Sequence, residues 1–273
     1  MDDLSLQPEM ILIPAGSFLM GSLKTDEWHS SVEPDQFELS LDYNYAIGKY
    51  PVTVGEFQAF IQEGGYTKPI YWTDKGWKWR EENRRARLLF WDQPKFVGND
   101  RLPVVGVSFF EAYAYCCWLA NVTQRYFRLP TEEEWEKTAR GGLKLANGND
   151  NPCPGRLWPW GNEVPTVERC NFRNNVGGTT PVGSYPNDVS PYGVMDMAGN
   201  VNEWCISKFT YPYIYLKEND PEGDDERVQR GGSWRSRDGG LRCSSRVRRR
   251  PDPWRDGVPQ MECDGFRVCE SLS

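Results

Sequence analysis

The second half of this chain constrains its fold more than any other feature, because from Gly142 to Ser273 it offers almost no helical periodicity. Glycine, proline, asparagine and aspartate recur through this half and keep its apolar runs short. Such a segment predicts short strands and long loops. The chain also holds 12 tryptophans, and large rings of this kind order irregular backbone by burying much area. We therefore predict a globular α+β fold with long, structured loops.

Three helices are predicted in the first half of the chain, each from a side chain that can cap its first turn. The capping residues are Thr53, Ser108 and Thr131, and a glutamate follows Thr53 and Thr131 at the capping-box position. The third helix has three glutamates in its first turn, where the helix dipole favours them. The predicted spans are 53–63, 109–119 and 131–140.

The strands of the first half are predicted from short apolar runs. Two such runs flank a Pro-Ala-Gly turn between Met10 and Met20, a pattern that predicts an opening β-hairpin. A further short strand is predicted over 45–50, ending at Pro51. Residues 66–104 are aromatic and charged without clean periodicity, so we predict a long loop pinned by tryptophans.

One domain is predicted over residues 9–270, preceded by a disordered N-terminus of residues 1–8. The start of the chain has no basic segment followed by an apolar stretch, so no secretory signal is predicted. No run approaches the roughly 20 apolar residues of a membrane-spanning helix. These observations favour a cytoplasmic protein, with surface display by another route left open.

Cysteine and histidine content excludes several kinds of site. Eight cysteines are present, none in a CxxC spacing. Without an export signal, reduced thiols are expected, and the spacing argues against zinc. His29 is the only histidine, so a metal site built from two or three imidazoles cannot form within this chain. No GxSxG motif is present, which argues against a serine hydrolase.

Arginines concentrate near the C-terminus. Between residues 227 and 255 there are ten arginines, no lysine and two aspartates, a net charge of +8 in a chain whose total is −7. This asymmetry favours anionic partners such as a phosphate, an acidic glycan or an acidic protein surface. Arginine suits bidentate recognition of carboxylate or phosphate. Nucleic acid is disfavoured, because the total charge repels it.

Some of these arginines have a structural alternative. Arg242, Arg246 and Arg248 could pair inward with acidic loops and hold strands together. An outward position is favoured for Arg235, Arg237, Arg249 and Arg250.

The order of short motifs along the chain resembles the formylglycine-generating-enzyme-like, or sulfatase-modifying-factor, family. The motifs are IPAGSF at 13–18, PVT at 51–53, PVVGVS at 103–108, RLPTEEEW at 128–135, WPWG at 158–161, GNVNEW at 199–204, and the frame from GGS at 231–233 to GFR at 265–267. They run from about residue 9 to 269, so the resemblance covers nearly the whole chain. The fold it implies is C-type-lectin-like, with small twisted sheets, two or three flanking helices and long structured loops.

The family's oxidases provide one functional alternative, and the resemblance implies that they hold cuprous copper on two cysteines. Soft thiolates suit linear Cu(I) coordination. The matching positions here are Ser236 and Leu241, so that pair is absent and copper is disfavoured. An atypical site stays open as an alternative, built on Cys243 with a second thiol such as Cys263 or Cys269.

Two further branches of the family bear on function. Thiol-histidine sulfoxide synthases use a three-histidine iron site, which a single histidine excludes. A non-enzymatic branch includes the variable proteins of diversity-generating retroelements, whose residues after Gly-Gly-Ser-Trp are hypervariable. Residues 235–253 lack Lys, Glu, Gln, Met and Trp, the types that randomised adenines in asparagine codons cannot produce. The many arginines there would be rare products of that process, so this observation is ambiguous.

We predict a non-enzymatic ligand-binding protein whose arginine- and tryptophan-rich face lies within residues 234–262, with diversification by a retroelement as a further hypothesis. Tryptophans would supply stacking area and arginines charge. The predicted ligand-binding residues are Trp234, Arg235, Ser236, Arg237, Asp238, Arg248, Arg249, Arg250 and Trp254. The partner would be a protein or an anionic ligand. A sensor module of a larger defence or signalling system is another alternative.

Structural calcium is the remaining cofactor hypothesis. The resemblance implies that the Gly-Asn-x-x-Glu-Trp turn holds calcium through backbone carbonyls and the glutamate, and hard oxygen ligands suit this ion. Gly199, Asn200, Val201 and Glu203 match the turn, whereas Asn202 departs from the usual tryptophan. The alternative is that the asparagine and glutamate side chains of the turn only bond to neighbouring groups.

Overall fold

The computed structural model describes residues 7–215, 219–252 and 261–272. Its helices are α1 (Val54–Gln62), α2 (Asp74–Glu82), α3 (Pro94–Val97), α4 (Phe109–Thr123) and α5 (Glu132–Arg140). Its strands are β1 (Met10–Ile13), β2 (Gly16–Met20), β3 (Phe37–Leu41), β4 (Tyr45–Gly48), β5 (Phe127–Arg128), β6 (Asn202–Lys208), β7 (Arg227–Arg230), β8 (Arg246–Arg249), β9 (Asp264–Gly265) and β10 (Cys269–Ser271). Most of the predicted N-terminal segment 1–8, and Trp254, lie outside the described residues.

The strands form two small four-stranded sheets and a two-stranded ribbon. The first sheet has the order β1-β4-β10-β5, so the last strand of the chain lies between strands from its first half. The second sheet has the order β8-β7-β6-β9. Here β6 and β9 run parallel, with Asn202 opposite Asp264 and Glu203 opposite Gly265. This pairing places the GNVNEW turn beside the C-terminal DGFR segment.

The predicted hairpin between Met10 and Met20 is wrong in its pairing, although both of its strands form. Strand β1 pairs with β4, and β2 pairs with β3. The two residues between them make a corner rather than a hairpin turn. The side chain of Asn44 accepts a hydrogen bond from the Ala15 N–H at 2.7 Å at this corner. Each strand therefore joins a different sheet.

The capping signals locate the predicted helices well. Thr53 and Thr131 each accept a hydrogen bond from the backbone of the glutamate three residues on, and both capping boxes are complete. Ser108 caps α4 in the same way, but this helix runs to Thr123 rather than to 119. The sequence after 119 carries no glycine or proline to end it earlier.

The long loop predicted over residues 66–104 is wrong, because this region contains α2 and α3. Helix α2 reads DKGWKWREE, and Thr73 caps it by accepting from the Gly76 N–H. Most of its positions are charged, so no apolar stripe marks it in the sequence. It is anchored through Trp79, whose ring lies 5.4 Å from that of Phe110. Tertiary packing thus supplies the stabilisation that the local pattern lacks.

Helix α5 lies in the interior, and all nine of its residues are buried. Trp135 and Ala139 belong to an apolar core shared with β2, β6 and β7. The other side of the helix carries glutamates that cannot reach water. Burying a carboxylate is costly unless it is paired and hydrogen-bonded. The fold therefore requires cationic partners for this helix.

Candidate functional site

The loop over residues 233–240, which follows β7, is held in one conformation by its own hydrogen bonds. The Ser233 N–H donates to the Ser236 hydroxyl at 2.9 Å, and the Ser236 N–H donates back to the Ser233 carbonyl at 2.9 Å. Gly232, just before the loop, has a φ of +69°. A Cβ there would lie 2.6 Å from the Gly240 carbonyl oxygen, so the loop closes on a position that only glycine fits.

Two neighbouring segments fix the loop from outside. The Trp234 N–H donates to the Asn200 carbonyl at 3.0 Å. The Arg173 N–H donates to the Ser236 carbonyl at 3.0 Å, and the Asn174 N–H donates to the Trp234 carbonyl at 2.6 Å. Backbone hydrogen bonds from distant segments thus order the loop.

The structure corrects the role predicted for Trp234. Its side chain is buried, with 1% of the residue exposed, and its indole N–H donates to the Glu262 carbonyl at 3.2 Å. Lys95 and Arg235 both lie over its ring, at 5.0 and 4.5 Å from the centroid. Trp234 therefore acts as an anchor that gathers two cations, and it offers no open stacking surface. The second predicted aromatic, Trp254, lies outside the described residues.

The exposed surface of the loop is basic. Arg235 and Arg237 are exposed, and Arg235 pairs with Glu262. The side chain of Arg237 has no hydrogen bond or ion pair with any described residue. Of the other predicted ligand-binding residues here, Ser236 is half-buried and bonds within the loop, whereas Asp238 pairs with Arg173 at 2.7 Å. Sequence reasoning missed Lys95 and Arg173, because they join this surface from distant parts of the chain.

Four other arginines of the C-terminal cluster are buried and structural. Arg230 donates to Glu136 of α5 and to the Ser244 and Ser245 carbonyls. Arg246 makes a bidentate pair with Glu132 of α5, both N–O distances being 2.8 Å. The third and fourth are Arg227 and Arg242. Arg230, Arg242 and Arg246 pair with buried acids, whereas Arg227 donates to the backbone carbonyls of Ile206, Asp220 and Glu222.

Arg242 reaches the loop over residues 26–33. It donates to Asp26 at 2.9 Å and to the two carboxylate oxygens of Glu33 at 2.9 and 2.6 Å. Burial raises the pKa of Glu33, but the hydrogen bonds and the charge of Arg242 outweigh burial and hold this pKa below its usual range. The inward alternative is therefore right for Arg242 and Arg246, while Arg248 remains exposed.

Strand β8 carries the remaining predicted ligand-binding arginines. Arg248 is exposed and lies 3.8 Å from Glu226. Arg249 is half-buried, with its Nε 3.4 Å from the Gln229 side-chain oxygen and 3.9 Å from Asp264. Arg250 is exposed just beyond the strand. The predicted site is thus divided between the 233–240 loop and β8.

The residues predicted to hold calcium do not fit this ion. Glu203 is fully buried, and its carboxylate accepts from Arg267 at 2.6 and 2.7 Å and from the Trp135 indole at 2.6 Å. The side-chain oxygen of Asn200 accepts from the Thr180 N–H at 3.0 Å. A guanidinium group already neutralises the only carboxylate of the turn, so a second cation would be repelled.

Backbone geometry gives this turn a structural role. Gly199 has a φ of +87°, and its N–H donates to the Gly231 carbonyl at 2.9 Å. Val201 is fully buried in a small apolar cluster. One buried oxygen nearby, Oδ1 of Asn171, has no partner, yet within the described ranges no three His, Cys, Asp or Glu side chains gather as metal ligands. The turn therefore supports the 233–240 loop.

The cysteines are free and mostly buried. Cys243 is fully buried, and burial raises its pKa to about 11. Burial likewise raises the pKa of Cys263 to about 11 and that of Cys269 well above its usual value. Thiolates are the copper ligands and the nucleophiles. Near neutral pH, without a bound metal, these three thiols therefore stay protonated.

Small sheets, interior helix α5 and long ordered loops that present arginines define a C-type-lectin-like domain of the formylglycine-generating type. Residues 2–271 match the family described as "Sulfatase-modifying factor enzyme 1-like domain". This chain belongs to that family.

Three curated relatives are similar to most of this chain. "Hercynine oxygenase" of Mycolicibacterium smegmatis is 35% identical over 86% of this chain and 56% of its own length. "Inactive C-alpha-formylglycine-generating enzyme 2" of Mus musculus is 32% identical over 97% of this chain and 86% of its length. "Serine/threonine-protein kinase pkn1" of Chlamydia pneumoniae is 32% identical over 89% of this chain and 36% of its length. The chain thus spans about half of the oxygenase it matches.

Solved structures share the fold. PvdO from Pseudomonas aeruginosa aligns with a TM-score of 0.69 and 23% identity, over 100% of this chain and 97% of that chain. Treponema denticola variable protein 1 aligns with a TM-score of 0.64 and 23% identity, over 96% and 95%. The predicted fold class is confirmed. None of the helices in the described ranges has the length and hydropathy to span a bilayer.

Proposed function

We propose that this chain is a non-catalytic binding module that recognises an anionic group, carried by a protein or a small ligand, at the 233–240 loop. The observation that carries the proposal is the basic surface of an ordered loop. Arg235 and Arg237 are exposed there, and Lys95 and Arg173 lie beside them. Since the loop is fixed by internal bonds, little conformational entropy is lost when a ligand binds.

Arginine geometry favours a phosphate or a carboxylate as the recognised group. A guanidinium group can donate two parallel hydrogen bonds to either of them. The Arg237 side chain has no partner among the described residues, so binding would break no existing ion pair. Arg235 would exchange its pairing with Glu262 for the ligand. We therefore expect Arg237 to contribute more than Arg235.

A non-catalytic role is supported by what replaces the oxidase cysteines. Ser236 stands at the first of these positions, and its hydroxyl is engaged by the Ser233 N–H. Leu241 stands at the second and is fully buried in an aromatic cluster. The nearest thiol in sequence, Cys243, has its pKa raised to about 11 by burial.

The decisive experiment titrates the protein with inorganic phosphate and with an acidic peptide containing phosphoserine, by calorimetry at low ionic strength. We expect Arg237→Gln to weaken binding by about tenfold, since charge-assisted hydrogen bonds contribute about 1.5–3 kcal/mol. Arg87→Gln is the matched control, because Arg87 is also exposed but lies elsewhere, paired with Asp92. Equal affinities for the parent and Arg237→Gln would contradict the proposal, as would no binding of either probe.

Retroelement diversification is a further hypothesis that the fold permits. Side chains at 235, 237, 248 and 250 are exposed, so changes there would leave the core intact. Sequencing the flanking DNA tests the hypothesis. A near-copy of the last part of the gene, differing mainly at adenines beside a reverse transcriptase, would support it. Absence of such a copy would leave a binding module of fixed sequence.

A second candidate function is a part in an oxygenase assembled with another polypeptide. The likeness to hercynine oxygenase favours it, since that relative is about twice as long as the matched region. The single histidine excludes a three-histidine iron site only within this chain. Co-purification of a partner followed by iron analysis would test this candidate.

The kinase relative favours another candidate, a sensor module in a larger system. Co-purification of a partner without iron would favour the sensor module.

A further inference from the structure

A cavity of about 400 Å³, which we call the Trp28 pocket, opens beside the loop that follows β2. Its apolar side is formed by Leu23, Trp28 and Leu157, and its polar side by Thr25, Glu27 and Gln36. This volume lies in the range of small-molecule sites, which combine apolar walls with a few polar groups. The pocket is separate from the exposed arginines of the 233–240 loop.

The Trp28 ring is held in place as one wall. It meets Trp158 edge-on, with centroids 5.3 Å apart. A Cβ on Gly239 would lie 2.9 Å from its Cδ1, so this glycine lets the ring pack against the loop. The backbone N–H of Trp28 donates to the Asp26 carboxylate at 3.0 Å. The residue is half-buried, and its indole N–H has no partner in the described ranges. Part of a rigid aromatic surface therefore faces solvent.

The base of the pocket is also rigid and electrically balanced. Arg140 donates to the Gly21 carbonyl at 2.8 Å and to Glu136 at 2.9 Å. Asp26 is paired with Arg242 at 2.9 Å. These charges are thus already neutralised. An anionic ligand would find no uncommitted cation among the described lining residues.

Polar groups on the other side are uncommitted. Thr25 and Glu27 are exposed, Gln36 is half-buried, and none of the three side chains has a hydrogen bond to any described residue. Together they offer a hydroxyl, a carboxylate and an amide beside the indole. A purely apolar ligand would desolvate these groups without replacing their hydrogen bonds, which is unfavourable. An organic cation would gain the indole face and the exposed, screened carboxylate of Glu27, but it would leave the Thr25 hydroxyl and the Gln36 amide without a hydrogen-bond partner.

A pyranose ring matches this combination of groups. Its C–H face can lie against the fixed indole, while its hydroxyls both donate and accept hydrogen bonds. Carboxylate and amide side chains complement adjacent hydroxyls. We propose that the Trp28 pocket binds a neutral saccharide residue. This site would act independently of the anion site, so a failure of one proposal leaves the other standing.

Saturation-transfer NMR tests the site with a panel of methyl pyranosides of glucose, galactose, mannose and N-acetylglucosamine. We expect at least one to bind, and Trp28→Ala to weaken it by at least about tenfold. Trp160→Ala is the matched control, since Trp160 stacks on Trp158 but lies outside the pocket. Arg237→Gln should leave sugar binding unchanged.

A second variant tests the site independently, in case Trp28→Ala misfolds. The double change Glu27→Ala with Gln36→Ala removes two uncommitted polar groups, and it should weaken binding while the melting temperature stays unchanged. Tetramethylammonium chloride serves as the competing probe. The proposal is overturned if no glycoside binds, if binding survives both sets of changes, or if tetramethylammonium binds through Glu27 in place of the sugars.

Discussion

Arginines in one short segment have two opposite fates in this protein. Arg230 and Arg246 lie against α5 with almost no exposure, and each donates to a buried glutamate. Arg235 and Arg237 lie between these two arginines in the sequence, yet both are exposed on the 233–240 loop. The residue type is the same, and so is the local sequence composition. What differs is whether the fold buries the side chain together with an acid, since the Arg235–Glu262 pair leaves Arg235 exposed and the Arg237 side chain pairs with no described acid.

This contrast changes how the basic segment is understood. Part of its net charge of +8 is neutralised inside the protein, where arginines of the segment pair with buried acids. Helix α5 requires such cationic partners, because all of its residues are buried and several are glutamates. The surface available to an anionic partner is therefore smaller than the sequence suggests. Arg173 and Lys95 partly restore it from other segments.

The largest effect on stability is expected for a buried arginine. Arg230→Met should lower the free energy of unfolding by about 3 kcal/mol, the low end for breaking a buried ion pair, because Glu136 keeps Arg140 as its remaining cationic partner. Chemical denaturation would measure the change. Arg237→Met is the control at the exposed side. If both variants were equally stable, the division into buried and exposed arginines would be wrong.

A smaller effect is expected at Glu133, the α5 glutamate whose side chain accepts from a tyrosine, Tyr213, at 2.7 Å rather than from an arginine. Burial, with the nearby charge of Glu132, raises its pKa to about 7 from an ordinary 4.5. The folded protein then binds a proton that the unfolded chain releases. The contribution of Glu133 to stability should therefore be fully present below about pH 4.5 and should be lost as the pH rises towards about 7.

Glu133→Gln tests this pH dependence. The variant should gain stability over the parent as the pH rises through that window, since its neutral amide has no charge to bury. Melting temperatures of both proteins across the window give the comparison. A constant difference at every pH would show that Glu133 stays ionised and that its neighbours already compensate it.

The smallest effect on stability is expected at the exposed side. Arg237→Gln should change the free energy of unfolding by less than about 0.5 kcal/mol, as surface substitutions usually do. The same variant is expected to lose phosphate affinity, so stability and binding separate at this residue. A large loss of stability would place Arg237 among the structural arginines instead.

Local signals in the sequence predicted much of the secondary structure. Capping residues located α1, α4 and α5, because a cap acts within one turn and is visible in a few residues. The charged helix α2 was not predicted, since its packing through Trp79 depends on the distant ring of Phe110. The pairing of the first two strands was predicted wrongly, because the Pro14-Ala15 corner resembles a hairpin turn in the sequence.

The sequence by itself determined the family, the turn-rich architecture, the loss of the cysteine pair and the concentration of arginine. Only the tertiary structure decided which arginines bind acids, that Trp234 is an anchor, and that Glu203 pairs with Arg267. The reason is physical. Motifs and caps are local, whereas the free energy of a charge or a ring depends on burial and on partners from remote segments.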